Sequence, residues 1–207
     1  LDTFGNIDFN ERSRLIVSNP RIRPIKGPKK ATNCTSENKA PDEVKSISKR
    51  SSTTGTFIFG TKDFRQKIEG VNLSEEQDFS KAFALTAGAI AGLSADNTIM
   101  LPDETARMLG MQVGETVLFK TATGTGQQNV GEFLLAATFA DQTGFGITSG
   151  YTNLSTLNRL IGLPADSYQT LNIFLNDIEN IDAATEALYQ NLKGNALVET
   201  REAEEEA

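Results

Sequence analysis

The stretch from Asn97 to Asp141 constrains the fold more than any other part of the chain. NTIMLP (97–102) reads as a short buried strand. Pro102 suits the first position of a helix, where a missing N–H leaves no bond unmade. Asp103 and Glu104 follow in the first turn, where the helix dipole favours carboxylates. Thr105, Ala106 and Leu109 give a narrow apolar stripe. Gly110 is the expected left-handed stop, and Gly114 supplies a second tight turn. Met111 and Val113 are expected to turn back toward the core. TVLFK (116–120) and VGEFLLAATFAD (130–141) read as strands, the second with Phe133, Leu135, Ala137 and Phe139 on one face. The glycine-containing tip ATGTGQQN (122–129) joins them. The unit is β–α–β–β. Every special residue in it answers a backbone need, and none is a nucleophile, base or metal ligand.

The flanking chain is less sharply written. LIV (15–17) and TGTFIFGT (54–61) predict strands, with Phe57 and Phe59 alternating against Thr56 and Ile58. Between them, Pro20, Pro24, Pro28 and Pro41 among polar residues predict irregular chain over 19–55. Ser74 and Gln77 have capping-box spacing, with Glu75 and Glu76 suited to a helix start, so a short helix or turn is expected over 73–83. The small residues of 84–96, including Gly88 and Gly92, suggest a loop or tight packing. In 151–164, Leu154, Leu157 and Ile161 share a helical face, Thr152 can cap it, and Gly162 and Pro164 stop it. Residues 168–177 predict a strand with Leu171, Ile173 and Leu175 on one side. Ile178, Ile181, Thr185, Leu188 and Leu192 then form an amphipathic helical stripe, and 195–200 a last strand.

Composition narrows the chemistry. The 207 residues suffice for one average domain or two small subdomains. There is no His, which removes the commonest general base and metal ligand. Cys34 is the single cysteine, so no disulfide closes within the chain. GFGITSG (144–150) lacks phosphate-loop spacing and runs into Tyr151. The pairs Glu75/Glu76 and Asp103/Glu104 sit at expected helix starts, where capping accounts for them. Ser167 has no histidine to activate it. No catalytic, cofactor-binding or metal-binding residue is expected. No apolar run is long enough to cross a bilayer, no leader opens the chain, and the start at Leu1 rather than Met reads as a fragment.

The net charge of −7 conceals a split: residues 1–50 carry 11 Lys and Arg against 6 Asp and Glu, or +5, leaving −12 for the rest. Arg12, Arg14, Arg21, Arg23, Lys26, Lys29 and Lys30 follow one another with no acid between. They form either a solvated loop or a contact for anionic headgroups or a partner. Gln127 and Gln128, at the hairpin tip, are further contact candidates. Nucleic acid is not expected, since no aromatic residue interleaves with the cations.

The ordered series IMLPDETARMLGMQVGETVLF, FLLAATFAD, YTNLSTLNRLIGLP and LNIFLNDIENIDAATEALYQNL resembles the extracytoplasmic domain of MacB/FtsX/LolCE-type ABC transporter permeases over about residues 55–200. Two departures stand out. Ala137-Thr138 replaces the family's usual Val-Gly, and 18–54 matches nothing in the family and reads as an irregular insertion. The resemblance implies an α+β (mixed α/β) fold of two pieces. A Porter-like βαβ subdomain would be built from both chain ends (1–60 and 145–207), with a smaller Sabre-like subdomain (61–144) inserted. It implies a non-catalytic role, outside the cytoplasm, in a membrane protein whose membrane helices precede Leu1 and follow Ala207. Expected partners are a cytoplasmic ABC ATPase, a second permease copy or sister permease, and a periplasmic or surface protein, with no cofactor. A secreted or surface binding or adhesion module is the other reading the residues allow.

Overall fold

A computed structural model gives the fold and describes residues 14–18, 44–76, 79–140, 149–175 and 197–200. Among these run strands β1 (Arg14–Ser18), β2 (Val44–Phe59), β3 (Lys62–Val71), β4 (Leu85–Gly88), β5 (Thr98–Pro102), β6 (Thr116–Ala122), β7 (Gln128–Phe139), β8 (Gly150–Asn153), β9 (Thr170–Leu175) and β10 (Leu197–Thr200), with helices α1 (Asp103–Leu109) and α2 (Leu154–Leu160). The class is α+β with strands dominant, as expected. The predicted helix over 178–192 lies outside the described residues, as do Cys34 and most of GFGITSG.

The hydrogen-bonded order is β10-β1-β9-β2-β3-β8-β5-β7-β4, and β6 pairs both β2 and β7. That double pairing turns the sheet back on itself. Strands β2, β3, β8, β5, β7 and β6 close into a ring, a small mixed barrel. Inside stand Phe57, Ile68, Ile99, Leu101, Val117, Phe119, Phe133 and Leu135, none more than 1% exposed. Ala106 and Leu109 of α1 and Leu157 and Leu160 of α2 belong to the same core. A second cluster covers the outer wall along β5, β7 and β8. There Phe79, Phe83 and Leu93 meet Met100, Ala137, Phe139 and Tyr151.

Strand β2 links the two parts of the sheet. Its first half, to Arg50, pairs with β9, and its second half, from Ser51, pairs with β3. Beyond β9 lie β1 and β10, from opposite ends of the sequence. The chain comes back from the barrel at the same place. Gln169 N–H donates to the Arg50 carbonyl at 2.9 Å, and Ser52 N–H donates to Gln169 Oε1 at 2.8 Å.

Several expectations need correction. Residues 44–55 are strand, not irregular. Small polar side chains occupy buried positions along it, Ser48 and Ser51 being 4% and 1% exposed, so the apolar alternation that marks a strand is missing. Pro102 is the residue before α1 rather than its first residue. Val113 is 38% exposed. The bond from Glu115 N–H to the Gln112 carbonyl holds it at a turn tip, while Met111 does turn inward. Asn153, not Thr152, caps α2, its Oδ1 accepting from Ser155 N–H at 3.0 Å. The Thr152 hydroxyl instead donates to the Thr98 carbonyl at 2.6 Å. The Ser74 hydroxyl donates to Asn72 Oδ1 at 2.7 Å, Gln77 lies outside the described residues, and the short helix or turn expected over 73–83 is met by a turn at 73–75 and a 3-10 helix at Phe79–Ala82.

Other readings hold. Gly110 ends α1 with φ 76°. Leu154, Leu157 and Ile161 are buried together. The small residues of 84–96 pack tightly: a Cβ on Gly88 would lie 2.1 Å from the Ala136 carbonyl, and one on Gly92 2.8 Å from the Ala136 methyl.

Candidate functional site: an open groove on the barrel wall

Side chains alternate across β6. Val117, Phe119 and Thr121 point into the barrel, and Thr116, Leu118, Lys120 and Ala122 point out. The outward sets of β3, β2, β6 and β7 line up in cross-strand rows. One row runs Asp63, Ile58, Leu118, Glu132, and the next runs Arg65, Thr56, Lys120, Val130. Here the wall bears an open groove of about 560 Å³, lined by residues that include Thr54, Thr56, Lys62, Arg65, Lys120 and Gln128. Leu118, Val130 and Leu134 are exposed beside it, at 37%, 51% and 42%.

The sequence candidates fall in different places. Gln127 and Gln128 are exposed at the β6–β7 tip, and Gln128 reaches the groove. Arg14 opens β1, two strands from β2. Arg12, Arg21, Arg23, Lys26, Lys29 and Lys30 lie outside the described residues. Sequence reasoning missed Lys62, Arg65 and Lys120: the first two lie far from the third in the chain, and the three carry no shared motif.

The carboxylate pairs have structural partners. Asp103 Oδ1 accepts from Glu104 N–H at 2.8 Å, and Glu104 pairs with Arg107. Glu75 and Glu76 are not helix caps. Glu75 pairs with Lys49 at 3.1 Å, and Glu76 takes the Arg50 guanidinium in a two-point contact. Arg50 also lies 5.5 Å from the centre of the Phe79 ring. The Ser167 hydroxyl donates to the Pro164 carbonyl at 2.7 Å, which shapes a turn. Among the described residues no cluster of three or more His, Cys, Asp or Glu could hold a metal, and no helix is long and apolar enough to cross a membrane.

The Tyr151 phenol has a clearly shifted acidity. Burial pushes its phenol up to about 12, the Glu69 carboxylate adds to the rise, and Arg50 opposes it. The folded state therefore holds the proton more tightly than the unfolded chain does. The stability this lends is whole below about pH 10, and it drains away as the pH climbs through about 12. In a spectrophotometric titration the Tyr151 phenol should ionise late. Tyr151→Phe should remove that late step and the matching loss of stability, and an unchanged titration would contradict the burial.

No protein-family profile matches the sequence, and no curated protein matches it. Solved structures do. The extracellular domain of the noncanonic ABC-type transporter YknZ from Gram-positive bacteria superposes with a TM-score of 0.62 at 14% identity, covering 90% of this chain and 99% of that one. The periplasmic region of MacB from Actinobacillus actinomycetemcomitans gives 0.60 at 13%, covering 97% and 95%. The fold is that of ABC-permease extracytoplasmic domains. A domain of a protein described as a permease from Porphyromonas gingivalis agrees, at 0.55 and 13%, covering 91% and 89%. The likeness drawn from sequence over about residues 55–200 is thus met in the fold, and the superpositions extend beyond it, to 90–97% of the chain.

Proposed function

We propose that the chain is the extracytoplasmic domain of an ABC permease subunit and that it passes on movement instead of doing chemistry. The observation that carries this is the end-to-end match with extracytoplasmic permease domains, 97% of this chain against 95% of the MacB region. Its energy would come from a cytoplasmic ATPase. Its moving counterpart would be a second permease copy or a sister permease, and it would act on a substrate or partner outside the cytoplasm.

The architecture supports a mechanical role. We place the joint between two bodies at Arg50/Ser51 and Gln169/Thr170, where pairing of β2 passes from β9 to β3. The barrel is one body, and β1, β9, β10 and the first half of β2 belong to the other. The Lys49–Glu75 and Arg50–Glu76 pairs brace this joint, so a displacement at one end of the unbroken β2 carries into the barrel.

The test is made on the full-length protein in its membrane. Apolar spans of roughly 20 residues should flank this segment, and the protein should copurify with an ATPase. Replacing the segment by a flexible linker should abolish transport while ATPase binding persists. A parent polypeptide with no span on either side, or an isolated chain that turns over a substrate, would overturn the reading. A cleavable leader with no later span would point instead to a secreted or surface binding module.

A further inference from the structure

Charge pairing singles out the groove. Among the described residues, Lys49, Arg50, Lys67, Arg107 and Arg159 each meet a carboxylate. Lys62, Arg65 and Lys120 are in no ion pair, and all three line the groove. Lys62 has a structural explanation. Its ammonium lies over Gly110, where a Cβ would be 2.8 Å from Nζ, at the carbonyl end of α1 where a cation suits the helix dipole. Arg65 and Lys120 have no such explanation. They stand in one row on either side of Thr56, two strand spacings or about 10 Å apart.

The surroundings narrow the ligand class. A single small oxyanion would want cations converging on a buried point, whereas these are exposed and spread along a row. A lipid surface or a nucleic acid would want aromatic side chains at headgroup level or under bases. Among the described residues the exposed large apolar side chains include no aromatic one, and those beside the groove are Leu118, Val130 and Leu134. The neighbouring row carries Asp63, which also lines the groove, at one end and Glu132 at the other, and their repulsion keeps an anionic chain on the Arg65–Lys120 line.

We propose that the groove binds an extended acidic segment of a partner polypeptide lying across the strands. Its carboxylates meet Arg65 and Lys120, and the apolar side chains between them rest on Ile58, Leu118 and Val130. In a polyproline-II-like extended chain three residues make one turn and advance about 9 Å, which brings every third side chain back to the same face, so the matching pattern is an acid at every third position with aliphatic residues between. The groove's chemistry stands whether or not the domain belongs to a permease.

The 207-residue chain is titrated with a fluorescent peptide of repeated Glu-Leu-Ala at low and at physiological salt. Binding is expected, and it should weaken with salt. Arg65→Glu with Lys120→Glu should weaken it roughly tenfold or more, since two surface charge contacts together are worth about that factor. Arg107→Glu, a single charge reversal on an exposed residue outside the groove, should leave it unchanged. If the double reversal fails to fold, Arg65→Gln with Lys120→Gln replaces it, and at least a threefold loss is then expected, by the same principle. Four outcomes overturn the proposal. They are no binding, an equal loss with Arg107→Glu, loss only on neutralising Arg21, Arg23 and Lys26, and capture of phosphatidylglycerol vesicles through Arg65 and Lys120 without capture of the peptide.

Discussion

Phe119→Ala should lower the stability by about 3–5 kcal/mol, the usual cost of emptying a buried aromatic site. Phe119 is fully buried, 4.6 Å from the Phe57 ring and 6.3 Å from the Phe133 ring. It sits on β6, the strand that closes the barrel by pairing with β2 and β7. The cavity therefore opens where neither partner strand can collapse inward without giving up ladder bonds. In urea unfolding the midpoint should fall while the slope stays the same. Leu118→Ala, one residue along but on the open face, should cost under about 1 kcal/mol. Equal losses for the two would mean that the wall does not separate inside from outside as described.

Arg50→Ala should cost roughly 3 kcal/mol, because the partner carboxylate stays behind in a place nearly shut off from water. The Arg50 side chain is 17% exposed and that of Glu76 9%. The substitution removes the two-point contact with Glu76 and the stacking on Phe79 together. The charge swap Arg50→Glu with Glu76→Arg should recover part of the loss, and a double-mutant cycle would apportion it. Lys49→Ala breaks a pair with 36% and 40% exposure and should cost well under 1 kcal/mol. If Arg50→Ala were equally mild, the brace at the joint would carry no weight.

What could be read from the sequence and what could not divide along physical lines. The β5–α1–β6–β7 unit was legible because its signals are local. Acids at the helix start, Gly110 at its end and alternation through β6 and β7 each act within a few residues. The misassigned parts answer to distant partners. Nothing in TVLFK says that it pairs on both sides, so barrel closure was invisible. The first half of β2 was masked by serines and charges that suit its positions next to β9 and Glu76. Thr152 was drawn from a cap to the carbonyl of Thr98, a strand away. Glu75 and Glu76 carried the right charge for a helix start, yet they answer Lys49 and Arg50. The groove was the least legible part. Arg65 and Lys120 become neighbours only through Thr56, and each alone reads as an ordinary surface cation.

Entry at Ser51 and exit at Gln169 occupy adjoining positions, bridged by the Gln169–Arg50 and Ser52–Gln169 bonds. Among the described residues between them, none is paired in a strand with β1, β9 or β10. The segment can therefore be lengthened, trimmed or exchanged for another self-contained unit with equally close ends, while β1, β9, β10 and the start of β2 keep their own register. Variation among chains built this way should concentrate at what hangs from that doorway, and the frame around it should change least.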